Sequence, residues 1–219
     1  MLLKDLLTGI NSSINNIIMS FLSIDCSMEI GSLFVKIKNK TFNKILQSDK
    51  LNNDLLMKQI LDFLDKNDLK FDDLSKIYVN QGPGNFSGLR GSLSIAKGIS
   101  ISKNISLFGY DTFLWSCVKF YKKQNSIFSF FKFREKYFIK IFDTNLKSTS
   151  KIKQVSKEEI IKDYNNKFKV VPKYVTKNFD PKILELKNLN IVELDHNDLE
   201  FLQLKSLLNK DLIKPLYLS

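Results

Sequence analysis

The sequence predicts an α/β protein in two lobes, and three observations carry that expectation. Three short apolar runs, Phe21–Ile24, Ser32–Lys38 and Thr41–Leu46, are separated by links of turn length. From Asn53 to about Lys119 the apolar spacing switches between helical and strand periods. Beyond that point the charge balance shifts: residues 116–194 hold 18 basic and 8 acidic side chains, against 12 and 10 in residues 19–115.

Each element has a local reason. Leu33, Val35 and Ile37 alternate, which suits a strand buried on one face. Leu56, Ile60, Phe63 and Leu64 recur at helical spacing over Asn53–Asp65, with Asn52 or Asn53 placed to cap the start. Lys76–Asn80 reads as a strand, Gly88–Ser102 as a helix, Ile105–Gly109 as a strand, and a further helix starts at Asp111. The order β-β-β-α-β-α-β-α implies a mixed sheet with helices on its faces. That is the order of the actin-like, ribonuclease-H-like (ASKHA) fold. Phe128–Phe133 and Tyr137–Phe142 predict two strands of a smaller second lobe, and Lys147–Ser156 a polar loop. Asp198–Leu208 predicts an amphipathic helix capped by Asp198. The expected divisions are an N-terminal extension (1–18), a first lobe (19–119), a second lobe (120–194), and a C-terminal helix and tail (195–219) that packs back on the chain.

Composition excludes several classes. The 219 residues are 43% hydrophobic, with 18 Phe and four Pro, so the chain can bury a core. Two distant cysteines, Cys26 and Cys117, make no disulfide framework. No apolar run reaches the roughly 18 residues of a membrane span. The first eighteen residues lack the basic start and long apolar core of a secretory signal. A zinc site needs about four ligands, and the one histidine, His196, reads as a surface or helix-start residue. The net charge of +11 invites a polyanion partner, but 32 of the 34 basic residues are lysine in a chain also rich in Asn, Ile and Phe. A/T-rich codons alone would produce that composition.

The loop Gln81-Gly82-Pro83-Gly84-Asn85-Phe86-Ser87-Gly88-Leu89-Arg90-Gly91 holds the most information. Two glycines flank a rigid proline between a strand and a helix, and Asn85 or Ser87 is placed to cap that helix. Two readings stay open: a capped strand-to-helix turn, or an anion loop at a helix N-terminus. The helix that follows is small-sided, with Gly88, Gly91, Ser92, Ser94, Ala96, Gly98 and Ser100. Each interior glycine costs about 1 kcal/mol of helix propensity. Close packing must offset that cost, against the protein's own sheet or against a second protein. Arg90, one of only two arginines, supplies a planar fork suited to a carboxylate or phosphate. Asp25 and Ser27 sit where the first strand turns back, either as a self-capped hairpin or as an anion loop.

These residues resemble the TsaB (YeaZ) family of tRNA threonylcarbamoyladenosine biosynthesis proteins. Ile24-Asp25-Cys26-Ser27-Met28-Glu29 matches the family's first-strand motif Ile-Asp-Thr-Ser-Thr-Glu. Gly82-Pro83-Gly84-Asn85-Phe86-Ser87-Gly88-Leu89-Arg90, followed by Ala96-Lys97-Gly98, matches its central motif. Pro215-Leu216-Tyr217-Leu218 is similar to its usual tail. The resemblance covers about Met19 to Phe113 and the tail. Near Leu51-Asn52 the family's His-Ser pair is replaced, and its Asp-Ala-Arg stretch is reduced to Lys132-Phe133-Arg134.

The resemblance implies a cytoplasmic, non-catalytic scaffold with no cofactor or metal of its own. ATP and metal would belong to its partners, the transferase TsaD and the ATPase TsaE. The tRNA would be reached through that complex, with the basic second lobe as a candidate contact around Lys147, Lys151 and Lys153. Gly82, Pro83, Gly84, Asn85, Ser87, Gly88 and Arg90 would form a partner or anion loop, and Gly91, Ala96 and Gly98 a partner-helix face. Homodimerisation of the isolated chain is left open. The alternative is an enzyme of the same fold, a small-molecule kinase or acyltransferase built on Asp25 and the glycine loop.

Overall fold

A computed structural model describes residues 20–46 and 53–218. The expectations for Met1–Ile18, Met19, Leu51 and the Asn52 cap lie outside the described residues. Among the described residues, ten strands form two five-stranded sheets.

In the first sheet β1 (Phe21–Asp25), β2 (Gly31–Ile37) and β3 (Lys40–Leu46) make the expected antiparallel meander, with Ile24 opposite Leu33. β4 (Lys76–Asn80) and β5 (Ser106–Tyr110) add in parallel. Strand alternation then divides the core in two. Leu22, Ile24, Ile77 and Val79 face α1 (Asn53–Asp65) and α2 (Phe86–Lys103), packing on Leu56, Ile60, Leu93 and Ala96. Phe21, Phe34, Tyr78 and Tyr110 face the other way and join the core shared with the second lobe and α3 (Thr112–Cys117). Asp111 caps α3, its carboxylate accepting from Leu114 N at 2.8 Å. The other Asp111 oxygen pairs with Lys140 of the second lobe at 2.8 Å. Cys117 is a fully buried core thiol, and burial pushes its pKa up to about 12.

The second sheet pairs β6 (Ser126–Phe133) with β7 (Lys136–Asp143) as predicted. The stretch read as a polar loop contains a short third antiparallel strand, β8 (Lys153–Val155), too polar to register as a strand by hydrophobic period. Ser156 and Glu159 form a reciprocal capping box that starts α4 (Lys157–Asp163). β9 (Lys169–Pro172) and β10 (Leu189–Val192) run parallel to β6 and to each other. Between them lie a 3₁₀ segment, Lys173–Asn178, and α5 (Pro181–Leu184), which Pro181 starts.

Lys169 at the start of β9 is fully buried. Its ammonium donates to four carbonyls, those of Tyr164 (2.9 Å), Asn165 (2.7 Å), Lys167 (2.8 Å) and Lys187 (2.7 Å). Burial lowers its pKa to about 8. One side chain thus ties the turn before β9 to the turn before β10.

The last helix, α6 (Asp198–Leu204), ends earlier than predicted because the chain turns left-handed at Ser206. Asn197, not Asp198, occupies its cap position. Leu199 and Leu202 are buried as expected. Glu200 pairs with Lys36 of β2, and Gln203 accepts from Lys76 of β4 at 2.9 Å. The tail then pairs Asn209 with Gly109 at the edge of β5.

Candidate functional site

The glycine loop after β4 is built on two close backbone approaches. A Cβ on Gly84 would run into the Ser27 carbonyl, and one on Gly88 into the Cys26 carbonyl. Only glycine lets the loop and the first turn of α2 sit on the β1–β2 turn. Asn85 N donates to Ser27 O at 2.6 Å and seals the contact. Gly82 has φ +108°, and its N–H donates to the Asn80 side chain at 2.8 Å. Gly82, Pro83 and Gly84 are buried, and two of the loop's N–H groups are spent inside the protein. Asn85 is the cap residue of α2 by position, but its side chain makes no capping bond.

Asp25 ends β1 on the face toward the second lobe. Its carboxylate accepts from Ser27 N at 2.9 Å and from Asn80 Nδ2 at 3.0 Å. The Asn80 amide also reaches Thr112 Oγ1 at 3.1 Å. Asn80 thus joins the β1 turn, the glycine loop and α3, a role that sequence reasoning missed. Its one available signal was an amide directly before Gln-Gly-Pro-Gly. Gln81 performs a similar service for the tail: its backbone oxygen accepts from Leu216 N at 2.7 Å, and its side chain bonds Lys214 O and Asn209.

At the solvent end of the loop, the Phe86 ring stacks on Tyr217 with centroids 5.1 Å apart, and the Arg90 guanidinium lies over Phe86 at 5.0 Å. Arg90 therefore packs on an aromatic ring, with no carboxylate partner among the described residues. Ser87 is exposed beside it.

The predicted partner-helix face needs correction. Ala96 is fully buried in the first-lobe core. Two residues apart on a helix, Ala96 and Gly98 point about 200° from each other, so both cannot share a face. Gly98 is exposed with nothing near an added Cβ, and Gly91 is half-buried one heptad earlier. The open face of α2 runs through Phe86, Arg90, Ser94, Lys97, Gly98 and Ile101, the last 83% exposed. On α1, Leu55 and Leu61 are also exposed.

Three comparisons bear on this geometry. The family model of TsaD, tRNA N6-adenosine threonylcarbamoyltransferase, matches residues 47–124. A tRNA threonylcarbamoyladenosine biosynthesis protein TsaB from Buchnera aphidicola subsp. Baizongia pistaciae is 34% identical over 88 residues, 39% of each chain. Two solved structures from Pseudomonas aeruginosa are similar over nearly the whole length. One is described as an uncharacterized protein with similarity to peptidase YEAZ: TM-score 0.68, 14% identity, covering 92% of this chain and all of that one. The other is YeaZ, with TM-score 0.66 at the same 14% identity, covering 91% of this chain and 100% of that one. At such identity these two establish the actin-like, two-lobed fold. The chain is similar in sequence to TsaB over those 88 residues and shares the fold of YeaZ. The sequence match spans about two-fifths of the Buchnera protein's length.

The crevice between the lobes has a volume of about 730 Å³. Asp25, Ser27, Ser32 and His196 line it together with Trp115 and Tyr174. Burial raises the pKa of the Tyr174 hydroxyl, on the second lobe, and the charge of Asp25 adds to that shift. His196 stands at the start of α6, one of the two positions predicted, with its carbonyl accepting from Leu199 N at 3.2 Å, but it is half-buried rather than on the surface. Its ring stacks on Phe34 at 5.0 Å and tilts against Trp115 at 4.9 Å. Nδ1 bonds Ser23 Oγ at 2.9 Å and Nε2 bonds Ser32 Oγ at 3.1 Å. Burial pulls its pKa down toward about 4, against the opposing pull of Asp25 and Asp195, so the ring is neutral near pH 7. Among the described residues no group of three or more His, Cys, Asp or Glu is arranged to hold a metal ion, and no helix is long and apolar enough to cross a membrane.

Proposed function

We propose that this chain is the non-catalytic scaffold subunit of a tRNA threonylcarbamoyladenosine modification complex. It docks a TsaD-type transferase through α1 and the open face of α2, and with it a TsaE-type ATPase. The reading is carried by the Gly82–Arg90 loop seated on the Asp25–Ser27 turn. That contact orients α2 so that Gly98 and its neighbours face outward while Ala96 anchors the sheet. The single histidine is engaged by Ser23 and Ser32, which favours a scaffold over a catalytic centre.

Co-expression with the cognate transferase and ATPase tests the reading. Gly98→Trp puts a large ring on a face where an added Cβ meets nothing within 4 Å, so the variant should fold. Co-purification with the transferase should fall at least about tenfold, and the modified nucleoside in tRNA should fall with it. Unchanged co-purification and modification in both Gly98→Trp and a Ser94→Trp variant would overturn the α2 docking surface. Normal modification in cells lacking this chain would overturn the scaffold reading.

A further inference from the structure

We propose that the N-terminal edge of the second-lobe sheet carries a binding site for single-stranded RNA, formed where the turns before β6, β9 and β10 meet. This deepens the scaffold reading by assigning an RNA contact to the scaffold itself. A cavity of about 490 Å³ opens there. Gln124, Asn125, Asn166 and Asn188 line it with amides, which donate and accept and so can read base edges. Phe128 and Phe168, both partly exposed, supply ring surface for stacking. Lys167 adds a cation, and no acidic side chain lines the cavity. The nearest acid in the strand register, Asp143 opposite Ser126, spends one carboxylate oxygen on its own turn, accepting from Asn145 N and Lys147 N.

The surroundings are basic without compensation. Lys122, Lys123, Lys167, Lys187 and Lys205 make no ion pair among the described residues. The Lys122 and Lys205 ammoniums both lie over the Tyr121 ring, at 5.7 and 5.6 Å. By contrast Lys153, in the loop singled out from sequence, is already paired with Glu159 at 3.0 Å.

The site is also held in shape. The buried Lys169 ammonium binds carbonyls of Tyr164, Asn165, Lys167 and Lys187, so it fixes the two turns that supply Asn166, Lys167, Phe168 and Asn188. A turn braced by a buried cation loses little entropy when a ligand arrives. An acidic peptide would use the lysines but neither the rings nor the four amides, which favours RNA.

The test uses the full chain and a fluorescent RNA transcript of the anticodon stem-loop, titrated at several salt concentrations. The double variant Lys123→Glu/Lys167→Glu is compared with Lys40→Glu/Lys136→Glu, which changes the net charge equally at exposed positions away from the cavity. The first pair should weaken RNA binding about tenfold or more and lower the salt slope by about one and a half. The second pair should weaken it less than about threefold. Gln124→Ala/Asn166→Ala should weaken binding at constant charge. Equal losses in the two charge variants, or no loss in the amide variant, would overturn the site. Equal competition by polyglutamate would overturn the RNA assignment in favour of an acidic protein. Co-purification with the transferase is measured on the same variants. Its retention with lost RNA binding separates this inference from the docking reading, and lost co-purification with intact RNA binding refutes the site.

Discussion

The two lobes use sheets of the same size but hold their loops in place by opposite means. In the first lobe, backbone packs on backbone: Gly84 and Gly88 touch the carbonyls of Ser27 and Cys26, and no other residue fits. In the second lobe, one buried side chain, Lys169, gathers four carbonyls that a tighter turn would have satisfied locally. The first device leaves a sequence signature, because it demands glycine at set positions. The second does not, because a lysine in a lysine-rich lobe looks like any other. The family model accordingly matches residues 47–124, nearly all in the first lobe, while residues 116–194 carry a net charge of +10.

The sharpest test of that contrast is Lys169→Met. It leaves the carbonyls of both turns without their shared ammonium, whose three N–H donors are worth about 1 kcal/mol each, so a loss of about 3 kcal/mol is expected. Hydrogen exchange should locate the loss in the turns before β9 and β10, with α1 and α2 protected as before. Uniform loss across both lobes would break the comparison.

Gly88→Ala probes the first lobe. Helix propensity alone would stabilise by about 1 kcal/mol, but the new methyl meets the Cys26 carbonyl. A net destabilisation of about 2 kcal/mol in the denaturant midpoint is expected. Gly98→Ala, in the same helix, should show the opposite sign, a gain of about 1 kcal/mol, because its Cβ enters open space. If the two shifts share a sign, close approach is not what constrains the loop.

A pH-dependent effect concerns the contact between the lobes. His196 has a folded pKa below its unfolded value of about 6.5. The unfolded chain therefore binds the proton more readily, and stability is lost as pH falls from about 6.5 toward 4. Comparing His196→Phe with the parent protein across that range isolates the effect. The parent should lose stability relative to the variant as the buffer is acidified, and parallel curves would show that the ring's burial costs nothing on protonation.

Much of the first lobe was legible because its signals are local. Leu33, Val35 and Ile37 alternate; Leu56, Ile60, Phe63 and Leu64 recur; and a Gly-Pro-Gly turn leads into a helix. The start of α2 was placed two residues late because Phe86 and Ser87, both exposed, add no apolar period. β8 escaped notice because Lys153 and Gln154 are exposed on an edge strand. The candidate site was legible as a motif but not as a set of faces, and Ala96 was grouped with glycines from which helix geometry separates it.

By itself, then, the sequence determined the order of elements in the first lobe, the glycine loop with its helix, and the segregation of positive charge into the second lobe. Those properties depend on residues close together along the chain. Tertiary structure alone decided that His196 lies between Phe34 and Trp115, that Asn80 joins three segments, and that Lys169 becomes a buried brace. It also decided that Gln124, Asn166 and Asn188 line one cavity. Each of these pairs groups distant in sequence, and desolvation and hydrogen-bond satisfaction are set by the partner found in space.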